Sequence, residues 1–158
     1  RAVRLRRDHP VFRRRRFFAG SAEHGGESAL GDIYWLKPDG KQMSASDWNG
    51  GGDARRMAVW LNGSAIPEPD PRGQPIVDDN FLILFNTDDE GQEFTLPGEA
   101  WGRTWVVEID TEYDEPESRE LVPGGQIEVA ARSTLVLRSP RQSGSGGSGG
   151  AGQGSAKG

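Results

Sequence analysis

The chain has 158 residues, of which 34% are hydrophobic and 23 are glycine, with a formal net charge of −5. That length suits one domain with a modest core. It has no cysteine, which excludes a disulfide framework and a thiolate metal site. No run approaches the roughly 20 apolar residues that span a bilayer, and the N-terminus lacks the apolar stretch of a secretory signal. The expectation is a soluble, cytoplasmic protein with no membrane partner and no cofactor.

The net charge hides a division. Residues 1–16 carry eight arginines and one acid, Asp8, a net +7; the rest carries eleven basic and twenty-three acidic residues, a net −12. The body would repel nucleic acid, so only the arm can attract it. The chain begins with Arg1 rather than Met, and it reads as a piece of something larger.

Residues 1–8 predict a helix ending near Asp8, because Pro10 disfavours α geometry at His9. A helix this short needs a partner surface, since isolated helices need about 12–15 residues. No partner is evident in the chain. Residues 19–30 are small and polar and predict a loop.

From residue 31 the pattern changes to short strands. Asp32–Lys37 is rich in β-formers and ends at Pro38-Asp39-Gly40, a turn in which Pro presets φ and Gly accepts positive φ. Residues 44–55 predict a loop containing Asp47, Trp48 and Asn49. Met57–Leu61 is a second strand, closed by Asn62-Gly63. Residues 64–75 hold four prolines and predict a loop. Phe81–Phe85 has no alternation and reads as a strand buried on both faces. Gln92–Leu96, Thr104–Ile109, Ile127–Val129 and Thr134–Leu137 complete the set, with an acidic loop at 110–118 and a turn at Pro123-Gly124-Gly125.

About seven or eight short strands separated by turns predict an all-β fold, an antiparallel Greek-key β-sandwich. No helical pattern alternates with the strands, which argues against a parallel α/β sheet. The expected organisation is a helical segment over 1–20, a linker over 21–30, the sandwich over 31–138, and a flexible Gly/Ser tail over 139–158.

Most motifs lack the context their chemistry needs. Gly144–Gly149 matches G-x-G-x-x-G, but a Ser/Gly tract supplies no helix to hold a phosphate. The G-x-S-x-G match at Gly146–Gly150 fails for want of a strand-turn-helix. Asp110, Glu112 and Asp114 alternate like a calcium loop, but positions six and twelve are Glu115 and Leu121 rather than Gly and Glu. His9 and His24 have no ligand-like neighbours, so neither a metal site nor a serine triad is expected. Asn62-Gly63-Ser64 reads as a turn rather than a glycosylation acceptor. The paired acids Asp78-Asp79 and Asp88-Asp89-Glu90, with Glu115 and Glu117, show no low-polarity pocket of the kind a glycosidase acid needs. Asp78-Asp79 reads as a strand start, and no catalytic residue is assigned.

Two features remain as candidates for contact. The arginine arm, with Phe12, Phe17 and Phe18 among its arginines, can dock on an acidic or apolar surface, bind phosphates, or simply be solvated. Among the tryptophans, Trp35, Trp60 and Trp105 lie in strand runs and predict core. Trp48 and Trp101 lie in loops, where an indole face can stack on a sugar or partner.

Several ordered blocks resemble the bacterial glycogen debranching enzymes of the isoamylase type, in the α-amylase superfamily, glycoside hydrolase family 13. Leu5–Arg14 (LRRDHPVFRR) is similar to their final barrel segment. Gly31–Gly40 (GDIYWLKPDG), with Met43 and Asp47-Trp48, resembles the start of their C-terminal β domain. Ala58–Gly63, Asp78–Asn86 and Val129–Leu137 fit as well. The resemblance covers about residues 1–138. It implies a parent enzyme that hydrolyses α-1,6 branch points, with its catalytic acids in a (β/α)₈ barrel upstream of Arg1. None of those motifs is present, so no catalytic residue carries over. It also implies that Val3, Leu5, Phe12, Phe17 and Phe18 dock on that barrel. The expected role is a non-catalytic accessory domain, partnered by the upstream barrel. The alternatives are an α-glucan-binding module working through Trp48 and Trp101, and a nucleic-acid binder using the arm.

Overall fold

The computed structural model describes residues 1–20, 30–49, 55–115 and 119–141. A short helix α1 (Ala2–Asp8) and a 3₁₀ turn (Pro10–Arg13) precede strand β1 (Ile33–Leu36), helix α2 (Ala45–Asn49) and strand β2 (Arg56–Leu61). Six strands follow: β3 (Asn80–Asn86), β4 (Gln92–Thr95), β5 (Trp105–Asp110), β6 (Glu120–Leu121), β7 (Gln126–Val129) and β8 (Ser133–Ser139). They form a six-stranded sheet of order β1-β2-β3-β8-β5-β6 and a two-stranded sheet β4-β7, antiparallel throughout. The pairs β3–β8, β4–β7 and β5–β6 are nested, as when one long hairpin is rolled up and β5 comes to lie on β8.

The small sheet covers one face of the large one. Between them lie Leu36, Ala58, Trp60, Leu82, Leu84, Leu135, Leu137 and Trp105 from the large sheet, against Phe94, Leu96, Ile127 and Val129. Trp60, Phe81, Leu82, Trp105 and Leu137 have no solvent exposure. Buried Asn86 ties the sheets together, its amide donating to the carbonyls of Val129 and Ala130 at 3.1 and 2.9 Å. Such a donor left unpaired in the core is costly, so its position at the end of β3 is strongly specified.

The opposite, outer face of the large sheet is also apolar. Register places Trp35, Val59, Ile83, Val136 and Ile109 in one row across five strands. The next row is Ile33, Leu61, Phe81 and Arg138. A bulge between Val107 and Ile109 makes this possible in β5. Residues two apart normally share a face, but the extra residue, Glu108, turns Val107 inward and Ile109 outward. The missing alternation in Phe81–Phe85 thus reflects a strand with apolar neighbours on both sides.

The N-terminal segment lies on this outer face, which corrects the expectation that its partner is absent from the chain. Val11 is 1% exposed, and Phe12 packs on Phe81 with ring centroids 4.6 Å apart. Ile66 and Ile76, from the proline-rich loop, join the same cluster. Polar clamps hold the segment down. Arg14 Nη2 meets Asp32 Oδ2 at 2.6 Å with both side chains under a tenth exposed. Asp32 also accepts the N–H groups of Ala19 and Gly20. Asp78 accepts the Val11 N–H and pairs with His9 Nδ1 at 2.7 Å.

Other departures are local. The expected loop at 44–55 contains α2, started by a reciprocal cap in which Ser44 donates to Asp47 and the Asp47 N–H returns to Ser44 Oγ. β6 is an added edge strand. Ser139 is buried as the last residue of β8, so the β domain extends one residue past the expected boundary. Gly63 sits where a Cβ would lie 2.2 Å from the carbonyl oxygens of Asp78 and Asp79, which accounts for glycine in that turn. Residues 21–29 of the expected 21–30 linker, with His24, and residues 142–158 of the expected 139–158 tail, with the glycine-rich motif matches, lie outside the described residues.

Replacing Asp32 by Ala removes the carboxylate to which the buried Arg14 guanidinium donates, with Glu68 left to act on it through charge alone. A loss of about 3–5 kcal/mol in urea unfolding is expected; a loss below about 1 kcal/mol contradicts the clamp. Asp88 gives a pH prediction. Hydrogen bonds from Asp89, then from Arg56, hold its carboxyl down from 3.8 to about 2. A depressed folded value means that its contribution is complete above about pH 4 and is lost as pH falls towards 2. Asp88→Asn is therefore expected to flatten the acid limb of the stability curve over that window, measured by urea midpoints from pH 5 to pH 2. An unchanged slope counts against it.

Candidate functional site

The outer sheet face is only half covered. Beside α1 a groove of about 240 Å³ remains open, lined by Ala2, Leu5, Arg6, Phe12, Ile83, Ile109 and Val136. Strands of a sandwich ordinarily alternate apolar inside with polar outside. A row of Ile and Val on the outward side is therefore a surface shaped for a cover. Arg6 lines it, while Arg1 and Arg4 line a neighbouring hollow together with Asp8 and Glu108.

The five arm residues suggested for docking divide. Leu5 and Phe12 pack on the chain's own outer cluster. Val3 is 84% exposed and Phe17 fully exposed. Phe18 is partly exposed, with the Arg14 guanidinium 4.2 Å above its ring. Among the eight arginines, Arg14 pairs with Asp32, Arg6 donates to the Phe12 carbonyl and Arg7 pairs with Asp8.

Among the described residues, Asp110, Glu115 and Glu128 line one open cleft together, and Asp78 and Glu99 line another. Asp78 and Asp79 directly precede β3, as their spacing suggests, but each has a specific task. Asp78 holds the arm. Asp79 accepts from Arg138 Nη1 at 2.9 Å and from the Arg141 N–H at 2.7 Å, and Arg138 also pairs with Glu108. The ligand atoms of His9, Asp78 and Asp79 lie within 4.8 Å of one another. All four carboxylate oxygens already accept hydrogen bonds from the chain, which makes the trio a clamp. The carboxyls that titrate away from their ordinary range, Asp8, Asp39, Asp47, Glu68 and Asp88, are all shifted down. A general acid requires the opposite shift.

The aromatic candidates also separate. Trp101 is half-buried between Tyr34 and Trp60, edge to face with both, at 4.8 Å from each. Its carbonyl accepts from Trp60 Nε1 and Asn80 Nδ2, so it is a packing residue rather than a displayed one. Trp48 is 48% exposed on α2. Trp35, expected in the core, is 38% exposed, because it lies on the outward side of β1. The two indoles meet edge to face, 5.4 Å apart at 82°. Sequence reasoning missed Trp35 because Ile33, Tyr34, Trp35 and Leu36 are all apolar, and such a run does not reveal which residues face the core.

The remaining motifs are local. Asp110 ends β5 and caps its own turn by accepting the Glu112 N–H. Asn62 accepts the Ser64 N–H in the expected turn. An open cleft of about 610 Å³ lies beside β7, floored by Val107, Ile127 and Leu135 where the two-stranded sheet runs out. No helix of the described residues is long and apolar enough to cross a membrane.

Residues 32–139 match the family described as isoamylase, C-terminal. The chain is 44% identical over 138 residues to the glycogen operon protein GlgX homolog of Mycobacterium tuberculosis H37Rv, and equally to that of Mycobacterium bovis. The match covers 87% of this chain and 19% of the relative. Against the isoamylase of a Flavobacterium species it is 24% identical over 136 residues, or 85% of this chain and 16% of that one. The chain thus spans about a fifth of the length of the curated relatives it matches. The eight-stranded sandwich corresponds to the matched region, and the chain belongs to the isoamylase C-terminal domain family.

Proposed function

We propose that this chain is the C-terminal accessory domain of a glycogen-debranching glycoside hydrolase, and that it docks on the upstream catalytic region and steadies it without cleaving bonds itself. The observation that carries this reading is the half-covered outer face. Ile83, Ile109 and Val136 line an open apolar groove, and Val3 and Phe17 of the arm are exposed. Burying an exposed Val or Phe is worth about 1.5–3 kcal/mol, enough to anchor one domain on another. The arginines of the arm select an acidic counter-surface. The downward carboxyl shifts and the internally satisfied Asp78-Asp79 pair favour a supporting role over a chemical one.

The test uses the intact parent polypeptide and this chain side by side. The double substitution Val3→Ser, Phe17→Ser is expected to lower the thermal midpoint of the parent's catalytic region by several degrees. The urea midpoint of the isolated chain should stay within error of wild type. Equal midpoints for parent and variant contradict docking through this face. Incubated with glycogen or a branched dextrin, the isolated chain is expected to release no reducing sugar; turnover by it overturns the non-catalytic assignment.

A further inference from the structure

We propose that the corner formed by Trp35 and Trp48 is a contact site for single α-1,4-linked glucan chains. This rests on the debranching-domain reading for its choice of polymer, and on local geometry for the rest. Trp35 is held on β1, whose free edge is covered by the 37–43 hairpin: Met43 N–H donates to the Trp35 carbonyl at 2.8 Å, and Lys37 N–H to that of Lys41 at 2.8 Å. Trp48 is held on α2 by the Ser44–Asp47 cap. Each indole fixes the other edge to face, so the corner is set before any ligand arrives.

The surroundings narrow the ligand. Asp47 lies beside Trp48, and Ser44 donates to its Oδ2, leaving Oδ1 to accept a hydroxyl. The Ser44 hydroxyl and amide hold this carboxyl below its usual range, so it is an acceptor at neutral pH. Lys37 is near enough to act on the same carboxylate, and Lys41 lies 3.4 Å from Asp39 in the hairpin that follows β1. Paired carboxylates disfavour phosphate polymers. Exposed indole faces with a mixed hydroxyl-bonding rim suit a neutral polyhydroxyl ligand, whose ring C–H face stacks while its hydroxyls bond at the side. The 82° angle discriminates further. An α-1,4 chain turns from one glucose to the next and offers successive faces that are not coplanar. A β-1,4 chain is a flat ribbon that wants coplanar rings.

The experiment is affinity electrophoresis of the chain in native gels containing glycogen, with calorimetry against maltoheptaose and cellohexaose. Glycogen is expected to retard the wild-type chain, and maltoheptaose to bind at least ten times more tightly than cellohexaose. Trp48→Ala should weaken maltoheptaose binding at least tenfold, with an unchanged urea midpoint. Trp48→Tyr, which keeps a flat ring, should stay within about threefold of wild type. Absence of retardation, equal affinity for the two oligosaccharides, or wild-type binding by Trp48→Ala each overturns the site. So does a Trp48→Ala parent whose thermal midpoint falls while its glucan binding is kept, since the corner is then a domain contact. The docking face is tested separately through Val3 and Phe17, so the two proposals can fail independently.

Discussion

A sheet that is apolar on both faces has to be covered twice, and this requirement organises the whole molecule. The two-stranded β4-β7 sheet covers one face. The other receives the N-terminal segment and the proline-rich loop, which bring Val11, Phe12, Ile66 and Ile76 onto Phe81 and Leu61. Hydrophobic contact alone would hold so short a segment poorly, because helices of this length are marginal in isolation. Asp32 and Asp78 solve this by accepting backbone N–H groups and pairing with Arg14 and His9. Arg14 and His9 on the arm and Asp32 and Asp78 on the body are therefore two halves of one attachment.

The same constraint underlies the proposed function. The cover is incomplete where Ile83, Ile109 and Val136 meet the groove beside α1. The Glu108 bulge sharpens this, since it turns Ile109 outward and lets Glu108 pair with Arg138. An apolar face that remains open in a chain spanning about a fifth of its relatives' length is what docking on a larger body calls for. The proposed glucan corner lies on β1, at the opposite edge of the six-stranded sheet from β5 and β6. An accessory domain built this way holds its two proposed contacts apart, on a rigid sheet.

Much of the architecture was legible from residue order. The strands were marked by β-rich runs between Pro, Gly and Asn turns, and most boundaries moved by only one or two residues. The doubly buried β3 was visible in the unbroken Phe-Leu-Ile-Leu-Phe run. α2 was not, because five residues ahead of a glycine-rich stretch are too short to show a helical period. The candidate site was less legible. Trp48, expected in a loop, lies on α2, and the ring and carbonyl of Trp101 meet Trp60. Trp35 gave no sign that it faces outward.

Composition and local pattern sufficed to determine an all-β, cysteine-free domain with a basic arm and an acidic body, because these follow from residue types and short-range spacing. Only the tertiary structure decided where the arm lies. His9 finds Asp78 sixty-nine residues away, and Arg14 finds Asp32 eighteen away. It alone decided which face of each apolar strand looks outward, because that depends on register and on a single bulge. A run of consecutive apolar residues carries no information about the side on which its neighbours will pack.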